Sequence, residues 1–229
     1  MRLRALVLPV VFAFLIGSGR PIGYSPPKEE AGGGGGYSAD ITEDWDCADS
    51  SGSIDCDLGW TENNTGNAEI ESNKVITAVG NGDPVWVYND QTLGDDDHCV
   101  QADLELNGSG TSRIIADVFL RHDGTSTQTY YQARIRDDTA NSDHIEIQEI
   151  TAGSSASLAS DTYTLTPGTA YTVRFCAEGS NLEMFIDGVS ELTATDSTLT
   201  GRFVTGFQIR NNTGSVSTEI DNFEAGTIK

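Results

Sequence analysis

From about residue 70 to the C-terminus the chain alternates apolar and polar residues in short runs: KVITA, VWVY, VQADLEL, RIIADVFL, TYYQARIR, HIEIQEI, YTVRFC, LEMFI, FVTGFQI and STEIDNF. A period of two puts every second side chain on one face of a strand, so each run predicts a strand buried on one side only. Turn-forming clusters separate the runs, among them NGDP, NGSG, HDGTS, AEGSN and IDGVS. EGSN and IDGV bracket LEMF at the spacing of a hairpin strand between tight turns. No window carries a helical period, and no repeat of 20–50 residues suggests a propeller or solenoid. The expected fold is all-β, an antiparallel sandwich of two sheets.

The first 19 residues follow different rules. Arg2 and Arg4 precede an apolar stretch from Ala5 to Gly17 that ends in small residues. As a helix it would rise only about 20 Å, short of the roughly 30 Å of a bilayer core, so it reads as a secretory signal peptide. Residues 20–39 hold three of the six prolines and the five-glycine run Gly32 to Gly36, and they read as a linker or tail. Residues 40–229 are the expected domain, secreted and extracellular.

An exported chain with an even set of cysteines predicts disulfides. Cys47 and Cys56 flank a short loop and are expected to pair, which leaves Cys99 for Cys176. Strand parity agrees. Cys99 alternates with Val100, Ala102 and Leu104, and Cys176 lies opposite Tyr171, Val173 and Phe175, so both thiols sit on the polar side of their strands. Neighbouring strands of one sheet suit such a bridge better than a crossing of the core. No Cys-x-x-Cys pair occurs, and His98, His122 and His144 do not stand at zinc-ligand spacing.

Charge narrows the partners. The 229 residues carry 13 Lys and Arg against 35 Asp and Glu, a formal net charge of −22. Such a surface repels phosphate backbones and anionic headgroups, which argues against nucleic-acid and membrane partners. At 37% apolar residues the chain still has enough to build a core.

The order of elements carries a resemblance. DWDCADSSGSIDCDLGWTENNTGNAEIESNKVI, then ADVFLR, then YYQARIR, then YTVRFCAEGSNLEMFIDGV, and finally IDNFEAG together resemble the laminin-G-like branch of the concanavalin A-like lectin/glucanase superfamily over about residues 40–226. The resemblance implies a jelly roll, usually in secreted proteins that bind or cleave polysaccharides or in adhesion and virion proteins. Glucanases of this kind carry Glu-x-Asp-x-x-Glu on one strand, the carboxylate pair of retaining hydrolysis. That motif is missing. Asp103 and Glu105 share a face at i, i+2, whereas Glu146 and Glu149 fall on opposite faces. The resemblance also implies a structural Ca2+ joining the N-terminal segment to an Asp of the terminal strand. Asp221 is the matching position, with Asp44 and Asp46 as the other ligands. Asp44 to Asp49 lacks the glycine of an EF-hand loop.

One strand parity gathers Asp117, Phe119 and Arg121, then Tyr130, Gln132 and Arg134, then His144, Glu146 and Gln148, with Arg174, Gln208 and Arg210. Planar rings beside forked hydrogen-bonding groups are what sugar recognition requires. Arg121, Tyr130, Gln132 and Arg134 are therefore the expected glycan-binding residues on an open polar face. Trp45, Trp60 and Trp86 are read as core or sheet-edge packing, and Asp95 to Asp97 as a solvated loop. The expected function is a secreted, non-catalytic carbohydrate-binding or adhesion module whose partner is a polysaccharide or cell-surface glycan. The alternative is a structural subunit of an extracellular filament, surface layer or virion that contacts other copies through its N-terminal tail. A glycoside hydrolase is the least favoured reading. Asn63, Asn107 and Asn211 are glycosylation sequons.

Overall fold

The computed structural model describes residues 37–46, 49–51, 54, 59–63, 68–77, 84–107, 113–125, 127–138, 142–211 and 217–229. The expected signal segment 1–19, the expected linker as far as residue 36, and the expected Cys47–Cys56 pair lie outside them. The described chain opens at Tyr37, which bridges Ile228, three residues before the expected domain start.

The described residues contain no helix and sixteen strands, numbered here in chain order, and all strand pairs are antiparallel. The first sheet runs β11 (Ser154–Thr162), β10 (His144–Thr151), β9 (Tyr130–Asp137), β8 (Ile114–His122), β15 (Val204–Asn211), β6 (Val85–Asn89) and β3 (Trp60–Asn63). The second runs β14 (Val189–Thr195), β13 (Asn181–Ile186), β12 (Ala170–Glu178), β7 (His98–Asn107), β16 (Ser217–Thr227), β5 (Val75–Thr77), β4 (Ala68–Ile70) and β2 (Ser50–Ser51). The short β1 (Ile41–Glu43) pairs with β16 beyond a bulge between Asp221 and Glu224. The sheets form a jelly-roll sandwich.

The alternation read from the sequence sorts side chains as expected. Ala116, Val118 and Leu120 of β8, Tyr131, Ala133 and Ile135 of β9, and Val100, Ala102 and Leu104 of β7 join one core cluster between the sheets. Trp45 and Trp60 belong to that core, 5.1 Å apart by ring centroid. Strands β12, β13 and β14 follow as a meander. The β13–β14 turn, Asp187-Gly188, has positive φ at both positions, the two-residue hairpin geometry that matches strand twist.

Cys99 and Cys176 are directly opposed residues of β7 and β12 and form a disulfide. Both sit on the side of the second sheet away from the core, within one sheet, as their parity required.

Candidate functional site

The outer face of the first sheet is built in rows perpendicular to its strands, because antiparallel register sets one outward side chain of each strand beside the next. One row reads Glu146, Arg134, Asp117, Gln208 and Trp86 across β10, β9, β8, β15 and β6. The next reads Gln148, Gln132, Phe119, Gly206 and Tyr88. Each outward residue comes from the parity opposite to the core set.

Hydrogen bonds tie the first row together. Arg134 grips Asp117 with two parallel bonds, Nε to Oδ1 at 2.8 Å and Nη2 to Oδ2 at 3.1 Å. The Gln208 amide, with its nitrogen toward Asp117, donates to Oδ2 at 2.8 Å and accepts from Trp86 Nε1 at 3.1 Å. In the second row Gln132 Nε2 donates to Gln148 Oε1 at 2.6 Å, while Gln132 Oε1 is buried and without a partner. Burial pushes the Asp117 carboxyl upward, and the Arg134 charge pulls against it. Burial, with the Asp117 charge, also raises the Tyr130 phenol.

An aromatic cluster completes the face. Phe119 stacks on Tyr130 at 4.6 Å, Ile150 is buried with them, and Trp86 and Tyr88 pack against the group while remaining partly exposed. Gly206 makes room for it. A Cβ there would stand 2.0 Å from the Val87 carbonyl oxygen and 2.5 Å from the tip of the Phe119 ring.

Three of the four expected glycan-binding residues meet on this face, and one does not. Tyr130, Gln132 and Arg134 lie side by side, but Tyr130 and Gln132 are only 2% and 0% exposed. The face is therefore less open than the alternation implied, since large outward side chains on adjacent strands cover one another. Arg121 departs altogether. Its φ of 54° and the β8–β15 irregularity between Val204 and Gly206 break the parity of β8 at its end. The Arg121 side chain is 1% exposed and donates to the carbonyls of Asp96 and Leu199 and to the Asp97 carboxylate. His122 takes the outer position instead, 4.9 Å from Tyr88 and 5.6 Å from Tyr130 by ring centroid. Burial lowers its pKa to about 4.

Two further expectations are corrected. Arg174 lies on β12 of the other sheet, where its guanidinium stacks 4.1 Å over the Phe185 ring. Asp95 to Asp97 do more than meet solvent: Asp96 accepts from the backbone N–H groups of Gly201 and Arg202, and Asp97 from Gly179. The residues that sequence reasoning misses as binding candidates are Trp86 and Tyr88. Their signal is present in VWVY, where Val85 and Val87 point to the core and the rings must point away.

No protein-family model matches this chain, and no curated protein matches it. Solved structures do. The carbohydrate-binding module CBM66 from Bacillus subtilis is similar with a TM-score of 0.60 at 17% identity, over 74% of this chain and 96% of that one. The potassium-bound carbohydrate recognition domain of Emp46p gives 0.58 at 13%, over 73% and 88%. The catalytic domain of an endo-1,3-beta-glucanase (laminarinase) from Thermotoga petrophila RKU-1 gives 0.59 at 8%, over 85% and 99%. The likeness is one of fold, a jelly roll that those neighbours use, by their names, for carbohydrate binding in some and for glucan hydrolysis in others.

In this jelly roll the expected calcium residues fall on and beside the second sheet. Asp44 and Asp46 are exposed, and Asp46 accepts from Asn73 Nδ2 at 3.1 Å. Asp221 lies opposite Asp103 in register, and burial raises its pKa, with Asp103 and Asp44 adding negative charge. A cavity of about 190 Å³ is lined by Thr42, Glu43, Asp44, Asn222, Phe223 and Glu224. Glu43 Oε1 accepts from the Trp45 N–H, and its Oε2 is buried without a partner. Among the described residues no three carboxylate, histidine or cysteine side chains converge as a ready ligand set. The oxygens around the cavity are nonetheless the hard donors that Ca2+ prefers.

Proposed function

We propose that this domain is an exported, non-catalytic carbohydrate-binding module of the laminin-G-like branch, and that it holds glycan on the outer face of the first sheet. The observation that carries this reading is the row from Glu146 to Trp86. It sets a partly exposed indole beside an amide, a carboxylate and a guanidinium whose orientations are fixed by one another. Sugars are recognised by apolar stacking on rings and by paired hydrogen bonds from planar groups, and preordered groups lose little entropy on binding. Trp86 and Tyr88 supply the stacking surface, and the N–H groups that Arg134 and Gln208 keep beyond those given to Asp117 supply the donors. Export is supported by residues 1–19 and by the Cys99–Cys176 bridge, which an oxidising compartment maintains.

The carboxylates on this face do not suit hydrolysis. Asp117 is held bidentately by Arg134, and Glu146 lies across the same arginine on the next strand, so a guanidinium stands between the only two acids of the row. A general acid and a nucleophile require carboxyls facing one bond from either side. A structural Ca2+ at the Glu43–Asp44 cavity, with Asp221 close by, is part of the same proposal.

Titration calorimetry of the chain against a panel of polysaccharides tests the reading, with Trp86→Ala and Arg134→Ala alongside. The expected dissociation constants are about micromolar to millimolar, weakened at least tenfold by Trp86→Ala. Release of reducing ends would overturn the non-catalytic assignment, and binding unaffected by Trp86→Ala would move the site elsewhere.

The structural-subunit reading has one observation in its favour. Strand β11 is a sheet edge with an almost wholly exposed Ser- and Ala-rich sequence, open to strand addition by another copy. A concentration-dependent size-exclusion profile would support it, and a strictly monomeric one would remove it.

A further inference from the structure

A third row lies beside the Glu146–Trp86 row on the same face. Across β10, β9, β8 and β15 it reads His144, Arg136, Ile115 and Arg210. Ile115 is 3% exposed although it points away from the core, and the two arginines flank it, each one strand away. Adjacent strands are about 4.8 Å apart, which sets their backbones about 10 Å from each other. Both guanidiniums are half-buried, and both have a buried Nε with no hydrogen-bond partner.

The negative charge nearby is already committed. Asp117 gives both oxygens to Arg134 and one also to Gln208, so Arg210 receives only its longer-range attraction. Asp138 is shared between Arg113 at 3.4 Å and Arg136 at 3.5 Å, one carboxylate for two cations. Arg136 Nη2 also lies 3.0 Å from His144 Nδ1, which carries no fixed negative charge. Burial and the neighbouring Arg113 charge lower the Arg136 pKa. Four of the nine Lys and Arg residues after position 36, Arg113, Arg134, Arg136 and Arg210, stand here, facing Asp117, Asp138 and Glu146, with Asp137 and Asp143 beside Asp138. In a chain with net charge −22 this is a concentration of arginines, two of which keep an unfilled Nε.

We propose that Arg136 and Arg210 form the anion-binding end of the glycan face and take the carboxylate or sulfate groups of an acidic polysaccharide. This rests on the reading of that face as glycan-binding and names the class of glycan. The planar fork of a guanidinium fits either anion in a two-bond grip, and a half-buried site strengthens such bonds relative to water. The acidic remainder of the surface repels polyanions, so binding is confined to this one end and is sensitive to salt.

The experiment uses the full chain and two matched pairs of polymers: polygalacturonate with its carboxyl-reduced form, and dextran sulfate with dextran. At least one acidic polymer is expected to bind tighter than its neutral counterpart, and the pair that shows the gain tells carboxylate from sulfate. Arg136→Gln and Arg210→Gln should each weaken acidic binding by about tenfold or more and flatten its salt dependence, leaving neutral binding unchanged. Arg210→Lys, which keeps the charge without the fork, should retain part of the gain. Arg202→Gln, at the far end of the face where Arg202 meets Asp123 and the Thr129 carbonyl, should behave as wild type. If neither acidic polymer is preferred by the wild-type chain, the inference is wrong whatever the variants do. If in that case neutral polymers still bind and Trp86→Ala abolishes it, the glycan face stands without an anionic end. If Trp86→Ala changes nothing, the glycan face itself falls.

Discussion

The backbone N–H of Arg121 donates to Nε2 of His98 at 3.3 Å, which leaves Nδ1 as the protonated nitrogen, 3.0 Å from the Asp95 carbonyl. Both ring nitrogens are thus used by the neutral imidazole, and a second proton would destroy an acceptor that a buried N–H needs. Burial lowers the His98 pKa to about 4, against the ordinary value near 6.5. Above pH 6.5 the residue is neutral in folded and unfolded chains alike. Below it the unfolded chain takes up the proton first, so the stability tied to His98 is expected to fall as pH drops from 6.5 and to level out below about 4, with His122, also lowered to about 4 by burial, adding a loss of the same sign. The loss attributable to His98 is about 3 kcal/mol. Urea denaturation at pH 7, 5.5 and 4 checks this. His98→Gln should be less stable at pH 7 and lose less on acidification, and an identical pH profile would refute the assignment.

Reduction of the Cys99–Cys176 bridge releases a loop spanning 77 positions. In the chain-entropy picture its closure stabilises by about 4 kcal/mol. The double variant Cys99→Ala/Cys176→Ala should therefore melt well below wild type, and peptide mapping without reductant should recover the two cysteines joined. A Cys56–Cys99 peptide in that map would contradict the pairing.

Gly206→Ala should cost about 3 kcal/mol or more, because the added methyl meets backbone at Val87 and the ring of Phe119. The contrast is Gly179→Ala. Gly179 has φ +57° and nothing within 4 Å of the place its methyl would take, so only the left-handed backbone penalty of about 1 kcal/mol applies. Equal costs at the two positions would show that Phe119 and its neighbours yield. Glycan affinity should fall with the first variant and not the second.

From residue 37 on, 33 Asp and Glu face 9 Lys and Arg, an excess of 24 negative charges that any cation relieves somewhat. The proposed Ca2+ makes a narrower claim. Chelation should lower the melting temperature, and Asp221→Ala or Glu43→Gln should remove most of that response. An undiminished response in both variants would place the effect elsewhere.

How much of this is legible in the sequence depends on what alternation encodes. Parity states which side of a strand a residue occupies, and it is enough for the core, for the Cys99–Cys176 pair and for the neighbourhood of Tyr130, Gln132 and Arg134. It does not state which sheet the strand joins, so Arg174 falls in with residues of the other sheet. Nor does it survive a left-handed residue, and the φ of 54° at Arg121 exchanges that arginine for His122 without any mark in FLRH. Openness is also beyond it. Outward side chains as large as Tyr130 and Phe119 on adjoining strands bury each other, which only the register reveals. Trp86 is visible in VWVY, but the habits of tryptophan in small domains point the other way, and Trp45 and Trp60 do behave as core.

Because each row takes one residue from each of several strands, all from the parity that faces away from the core, most of the outer face can change without touching the packing between the sheets, Gly206 being the sterically fixed exception. A substitution at Trp86, Gln208 or Arg210 rewrites one word of the proposed recognition surface while the opposite parity keeps the sandwich standing. The same sandwich could therefore carry a different outer face at little cost to the packing between its sheets.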